Sequence, residues 1–226
     1  MSDSAVHGEP LGDESGLVLL EVSEPHSTVV HRLVTHRLAD TPGRTAYWID
    51  ARNAASTHVL YDCASSARAL SGLRIARAFT AYQHHSLVRE VVRRADPRTE
   101  LIVAPNVASL YHDSDVPAYE REELFASTLE TLSELGEVLG CPVLVTSADD
   151  ERASAVSEYA RTTIQCVHTR EGLRLIGPDG NAATEGYWQG EWWQTTIPYW
   201  AEVCGTVDRL DPVVAAYDHG LLEVTP

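Results

Sequence analysis

Short apolar runs of strand length recur along the chain with a helical pattern after each, and this alternation limits the fold more than any other feature. The runs lie at 17–22 (LVLLEV), 45–50 (TAYWID), 73–79 (LRIARAF), 100–105 (ELIVAP) and 142–147 (PVLVTS). Nearly continuous apolar runs of this length suit strands buried on both faces of a parallel sheet. Between 27 and 38, Val30, Leu33, Val34 and Leu38 recur at helical spacing, and segments near 54–69 and 82–94 also read as helices. The longest pattern places Phe125, Leu129, Leu132, Leu135 and Leu139 three or four residues apart. Together these predict a three-layer α/β fold, a mostly parallel central sheet with helices on both faces. TTIQCVHT, a REG turn and LRLI then predict an antiparallel hairpin at one sheet edge. Residues 1–16 are polar and acidic and read as a flexible lead-in, leaving 17–226 as a single domain.

The charge balance narrows the setting. All 17 basic residues are arginine, against 33 acidic ones, for a net charge of −16. Excess carboxylate without lysine predicts a protein adapted to molar salt, where repulsion is screened within a few Å, with high-GC codon usage contributing to the Lys-to-Arg exchange. Phosphate contacts to nucleic acid weaken steeply in such salt. The four cysteines are isolated, without a C-x-x-C pair, and read as small core residues of a reducing compartment. With neither a signal-peptide pattern nor a membrane-length apolar run, a cytoplasmic location without membrane contact is expected.

The stretch 21–33 (EVSEPHSTVVHRL) joins the first strand to the first helix, where a phosphate-binding loop would sit. A Walker A loop reads G-x-x-x-x-G-K-[ST], because glycines let backbone N–H groups wrap the phosphates and the lysine reaches the outer ones. Aligned on Thr28, Ser27 holds the lysine position, and Glu21 and His26 hold the glycine positions. Glu24 adds a second negative charge where a polyphosphate would lie.

The order and wording of these segments resemble the core of the RecA family in its archaeal RadA/RadB branch. The likeness runs through TVVHRL, YWIDARN, RIARAFTAYQHHSLV, ELIVAPNVASLYHDSD, the long helix and CPVLVTS, and covers 17–177. Family members are similar at each place, with phrases such as I-D-T-E-N in the second strand and L-L-I-V-D-S as Walker B. The resemblance implies a RecA-like fold with degenerate Walker motifs. Arg52 follows Asp50-Ala51 where the family has its catalytic glutamate, and Ala104, followed by Pro105, stands for the Walker B aspartate. Phosphoryl transfer is catalysed almost wholly by positioned charge, so loss of lysine, glycine, metal-side carboxylate and base together implies a pseudo-ATPase. Arg52 either reaches the old nucleotide site as a cation or pairs with Glu21 or Glu24.

Other constellations have bland and functional readings. His84-His85 reads as a solvated helix start, with a metal or partner contact as the sharper alternative, since neighbours on a helix point about 100° apart. YHDSD (111–115) sets two carboxylates and an imidazole after the fourth strand, where open sheets place ligands. In the resembled family the loop before the hairpin approaches DNA with small and basic residues, whereas here SADDERASAVSEYAR is largely acidic. Arg89, Arg93 and Arg94 form a basic helix face, open to nucleic acid or an acidic partner. The segment 184–200 carries Trp188, Trp192, Trp193 and Trp200, suited to an intramolecular flap, a protein interface or stacked bases.

The expectation is therefore a non-catalytic RecA-like paralogue of a halophilic archaeon. It would use no cofactor or metal and act as an accessory binding protein in DNA recombination or repair. The expected partner is an active RecA-family recombinase or a second copy, and nucleic acid is possible. The alternatives are an ATPase with a rewritten site, built on Thr28, Arg52 and Asp50 or Asp113, and a single-stranded nucleic-acid binder working through the tryptophans.

Overall fold

The computed structural model describes residues 11, 15–113, 116–148, 150–169, 172–177, 186–189 and 192–195. Five strands fall where apolar runs predict them: β1 (Gly16–Glu21), β2 (Thr45–Ala51), β3 (Leu73–Ala78), β4 (Thr99–Ala104) and β5 (Pro142–Ser147). They pair in parallel in the order β3-β2-β4-β5-β1, and β6 (Thr162–Thr169) continues in parallel beside β1. The expected hairpin is present: β6 turns into antiparallel β7 (Gly172–Ile176). Two further antiparallel strands, β8 (Gly186–Gln189) and β9 (Trp192–Thr195), extend that edge from the tryptophan-rich segment.

Parallel strands need crossovers, and the crossovers here are helices. α1 (Val29–Asp40) and α2 (Thr57–Cys63) carry the chain from β1 to β2 and from β2 to β3. α3 (Ala81–Arg94), α4 (Ala118–Leu139) and α5 (Asp150–Ser157) return it through β4 and β5 to β6. Alternation along each strand divides the core accordingly. Leu17, Leu19, Ile102, Val143 and Val145 meet Val88, Phe125, Leu129 and Leu132 on one face. Val18, Leu20, Trp48, Val103 and Leu144 meet Val30, Leu33, Val34, Leu38 and Leu60 on the other. The molecule is thus three-layered, with every residue of β5 buried.

Local chemistry trims two expected helices and adds one. The first helix begins at Val29 rather than at 27, because Thr28 caps it without a side-chain bond and Ser27 Oγ takes the Val29 N–H at 3.4 Å. The span 54–69 holds only the seven-residue α2, started by Ser56 accepting the Val59 N–H, followed by a 3-10 turn at Ala69–Gly72. The acidic stretch after β5, read as a loop, forms α5 and buries Ala153 and Val156. α4 ends at Gly140 in the left-handed region, φ 65°. No helix among the described residues is long and apolar enough to cross a membrane.

Candidate functional site at the carboxyl ends of the strands

From β1 the chain crosses one face toward β2; from β4 and β5 it crosses the other face in the opposite direction. The crevice beyond the strand ends, where the direction reverses, is where open α/β sheets bind ligands. Here it is laced shut. Asn106 Nδ2 donates to the Pro25 carbonyl at 2.9 Å, tying the loop after β4 to the loop after β1. Asn106 N–H donates to Thr146 Oγ1 at 2.8 Å, and Val107 N–H to the Thr146 carbonyl at 3.3 Å. Val22 N–H donates to the Ser147 carbonyl at 3.1 Å. A space of about 10 Å³ remains beneath, bordered by Pro25, Ser27, His31, Trp48, Pro105 and Thr146 among others. Sites for drug-sized ligands run to about 300–1,000 Å³.

The residues of the expected degenerate site scatter around this plug. Glu24, His26 and Thr28 are exposed, and Ser27 is half-buried. Ala104 is buried among Val107, Val145 and the helices of the α4 face, so the position matching the metal-side aspartate belongs to the apolar core. Asp50 is fully buried and its acceptors are occupied. Oδ1 receives the N–H groups of Ala54 and Ala55 at 2.7 and 3.1 Å, and Oδ2 receives Arg77 Nε at 3.1 Å. The carboxylate thereby holds a turn in which Arg52 and Asn53 both lie in the left-handed region, φ 61° and 58°. Arg52 pairs with Asp113, and its Nη2 also donates to the Ser109 carbonyl at 3.1 Å. This corrects the expected partner: the guanidinium reaches the loop after β4, because a left-handed turn redirects the chain there, and not Glu21 or Glu24.

His31 is the functional candidate that pattern reading missed. It sits on the buried face of α1 and its Nε2 accepts the Ser56 N–H at 3.0 Å, linking α1 to the start of α2. Burial holds its pKa below the ordinary value, opposed by the Asp50 carboxylate and the Ser27 carbonyl. Its ring lies 5.0 Å from that of Trp48. Asn106 was also missed, although asparagine after proline at a strand end is a turn signal, and φ 52° confirms the left-handed geometry that asparagine tolerates.

His84 overturns the expectation of a solvated helix start. Its side chain is fully buried, with Nδ1 2.8 Å from Tyr111 Oη. Tyr111 Oη lies 2.9 Å from Thr128 Oγ1, His85 Nδ1 lies 3.0 Å from the same oxygen, and Thr128 Oγ1 donates to the Leu124 carbonyl at 2.8 Å. Proton inventory assigns the chain. Thr128 uses its one proton on Leu124, so it accepts from Tyr111 and His85, and Tyr111 in turn accepts from His84 Nδ1–H. Burial pushes the His84 pKa down to about 4, with His85 adding to the effect, and pushes the Tyr111 phenol above its usual range.

The remaining candidates stay apart. In YHDSD, Tyr111 belongs to the buried chain, His112 is exposed, Asp113 pairs with Arg52, and 114–115 lie outside the described residues. No cluster of metal-ligating side chains occurs among the described residues. Arg93 and Arg94 both pair with Glu90, and Arg89 is exposed on the same helix. Trp188 lies in β8 and Trp192 and Trp193 in β9, while Trp200 lies outside the described residues. No protein-family model matches the chain, and no curated protein matches it.

Proposed function

We propose that the chain is a non-catalytic RecA-like paralogue, a pseudo-ATPase of a halophilic archaeon that acts as an accessory protein-binding scaffold in DNA recombination or repair. The observation that carries this reading is the crevice at the switch point, closed by the protein's own Asn106–Pro25 strap and narrowed to about 10 Å³. Of the groups that a rewritten ATPase would need, Asp50 is committed to its turn and Arg77, and Arg52 and Asp113 to each other, with Arg52 also on the Ser109 carbonyl, which leaves Thr28 alone. A nucleic-acid groove draws equally little support, since Glu90 offsets part of the charge of the Arg93 and Arg94 pair.

Support for a protein partner comes from the β3 edge of the sheet. β3 is its outer strand, and Ile75, Phe79 and Tyr82 are exposed on and just beyond it. An open strand edge flanked by apolar side chains is a ready surface for another chain. The partner in this reading is an active recombinase of the same cell or a second copy of the chain. Calorimetry with ATP and ADP, with and without magnesium in molar potassium chloride, is expected to give no binding heat; micromolar binding would refute the pseudo-ATPase reading. Gel filtration with the host recombinase is expected to show co-elution that Phe79→Glu abolishes. Independent migration of the wild-type chain, as a monomer, would refute the partner reading.

A further inference from the structure

Two buried donors border the closed crevice. His31 Nε2 accepts the Ser56 N–H, so the neutral ring carries its proton on Nδ1. That Nδ1 makes no hydrogen bond of good geometry, although the Ser27 carbonyl favours its proton. Trp48 Nε1, an obligate donor, is likewise buried without a partner. His31 and Trp48 are 3% and 1% exposed, and both line the same small cavity. A buried N–H left unpaired is costly, so Trp48 Nε1, with His31 Nδ1 met only by the poorly aligned Ser27 carbonyl, points to an acceptor in the cavity that both line.

We propose that this cavity is a binding site for a single water molecule, which accepts from His31 Nδ1–H and Trp48 Nε1–H and ties α1 to β2 beneath the Asn106–Pro25 strap. Size limits the occupant: a water needs at least about 10–15 Å³, and this cavity, at about 10 Å³, has room for no more than one. Charge favours a neutral ligand: the buried Asp50 carboxylate, near enough to act on His31, opposes an anion, and two N–H donors in the lining oppose a cation. Ser27 and Thr146, also in the lining, supply hydroxyl oxygens for the water's own protons. The inference rests on the closed crevice and not on the pseudo-ATPase reading; nucleotide bound elsewhere on the molecule would leave it intact.

The test is a high-resolution crystal structure of the full chain grown from molar potassium bromide, with the Trp48→Phe variant beside it. The expected result is an oxygen-sized peak about 2.7–3.2 Å from both nitrogens, without anomalous signal, that is lost or sharply weakened in Trp48→Phe. In solution, the wild-type Trp48 indole proton is expected to show cross-relaxation with a long-lived water. This reading needs no variant and holds if Trp48→Phe fails to fold. Bromide in the cavity, a dry cavity, an indole proton without a water partner, or a peak undiminished in Trp48→Phe would each overturn the proposal.

Discussion

Acid should destabilise this protein through His84 before its carboxylates dominate. The folded ring already donates through Nδ1 to Tyr111, so an added proton must go to Nε2, which is buried and unpartnered. Its pKa is therefore about 4 in the folded chain against about 6.5 when unfolded. The sign follows from proton counting. Between these values the unfolded state binds more protons, so stability is fully present above about 6.5 and is lost as pH falls toward 4. At pH 5 the ratio of binding polynomials is about 30, or about 2 kcal/mol of lost stability relative to pH 7.5. The matched variant is His84→Asn, whose amide nitrogen can replace Nδ1 as donor to Tyr111 but does not titrate. Urea unfolding in molar potassium chloride at pH 7.5, 6 and 5 should show wild type losing about 2 kcal/mol more than the variant over that range. Carboxylate titration is common to both and cancels. Parallel pH profiles would refute the buried-histidine argument.

Three further substitutions test other parts of the structure. Gly136→Ala places a Cβ 2.7 Å from Gly16 Cα and 2.8 Å from Val143 Cγ2, forcing α4 off the sheet. Overpacking of about 1–3 kcal/mol should outweigh the roughly 1 kcal/mol gained in helix propensity, so a lower urea midpoint is expected, and an unchanged or higher one would contradict the close helix–sheet contact. At Asn53, φ 58° predicts that Gly is tolerated while Ala lowers stability by about 1 kcal/mol, a ranking that thermal melts would reverse if the turn were not left-handed. Asp50→Asn presents an amide donor to Arg77 or to the Ala54 and Ala55 N–H groups. A loss of about 2 kcal/mol in folding stability is expected; an unchanged urea midpoint would show that the carboxylate does not hold the turn.

The layered fold was legible because each strand is a continuous apolar run and each long helix repeats its apolar residues at 3.6-residue spacing. Val30, Leu33, Val34 and Leu38 could be read as one buried face without coordinates. The features that escaped are those in which polar chemistry acts at long range. His84 looks solvated beside His85 because periodicity cannot reveal that Tyr111 and Thr128, 27 and 44 residues onward, supply a buried hydrogen-bonding chain. Arg52 looks free to reach Glu21 or Glu24 because Asn53 signals one left-handed residue at most, and nothing announces that the arginine before it is a second. α5 was hidden by acidic composition, since its apolar contribution rests on Ala153 and Val156.

The same long-range polar chemistry explains how a sheet can keep a ligand-binding topology while its crevice is closed. A glycine-rich loop leaves backbone N–H groups pointing at a ligand. In this chain the corresponding polar groups point at one another: Asn106 at Pro25 and Thr146, Asp50 at its own turn, His31 at Ser56. The Asn106 and His31 bonds join segments from different strands and Asp50 fixes the turn after its own, so together they brace the carboxyl end of the sheet from within. Placing a lysine at Ser27 alone would therefore not open the crevice, because the strap, the occupied carboxylate and the buried Ala104 would all remain. A chain built this way holds its strand ends together through its own polar side chains and backbone groups.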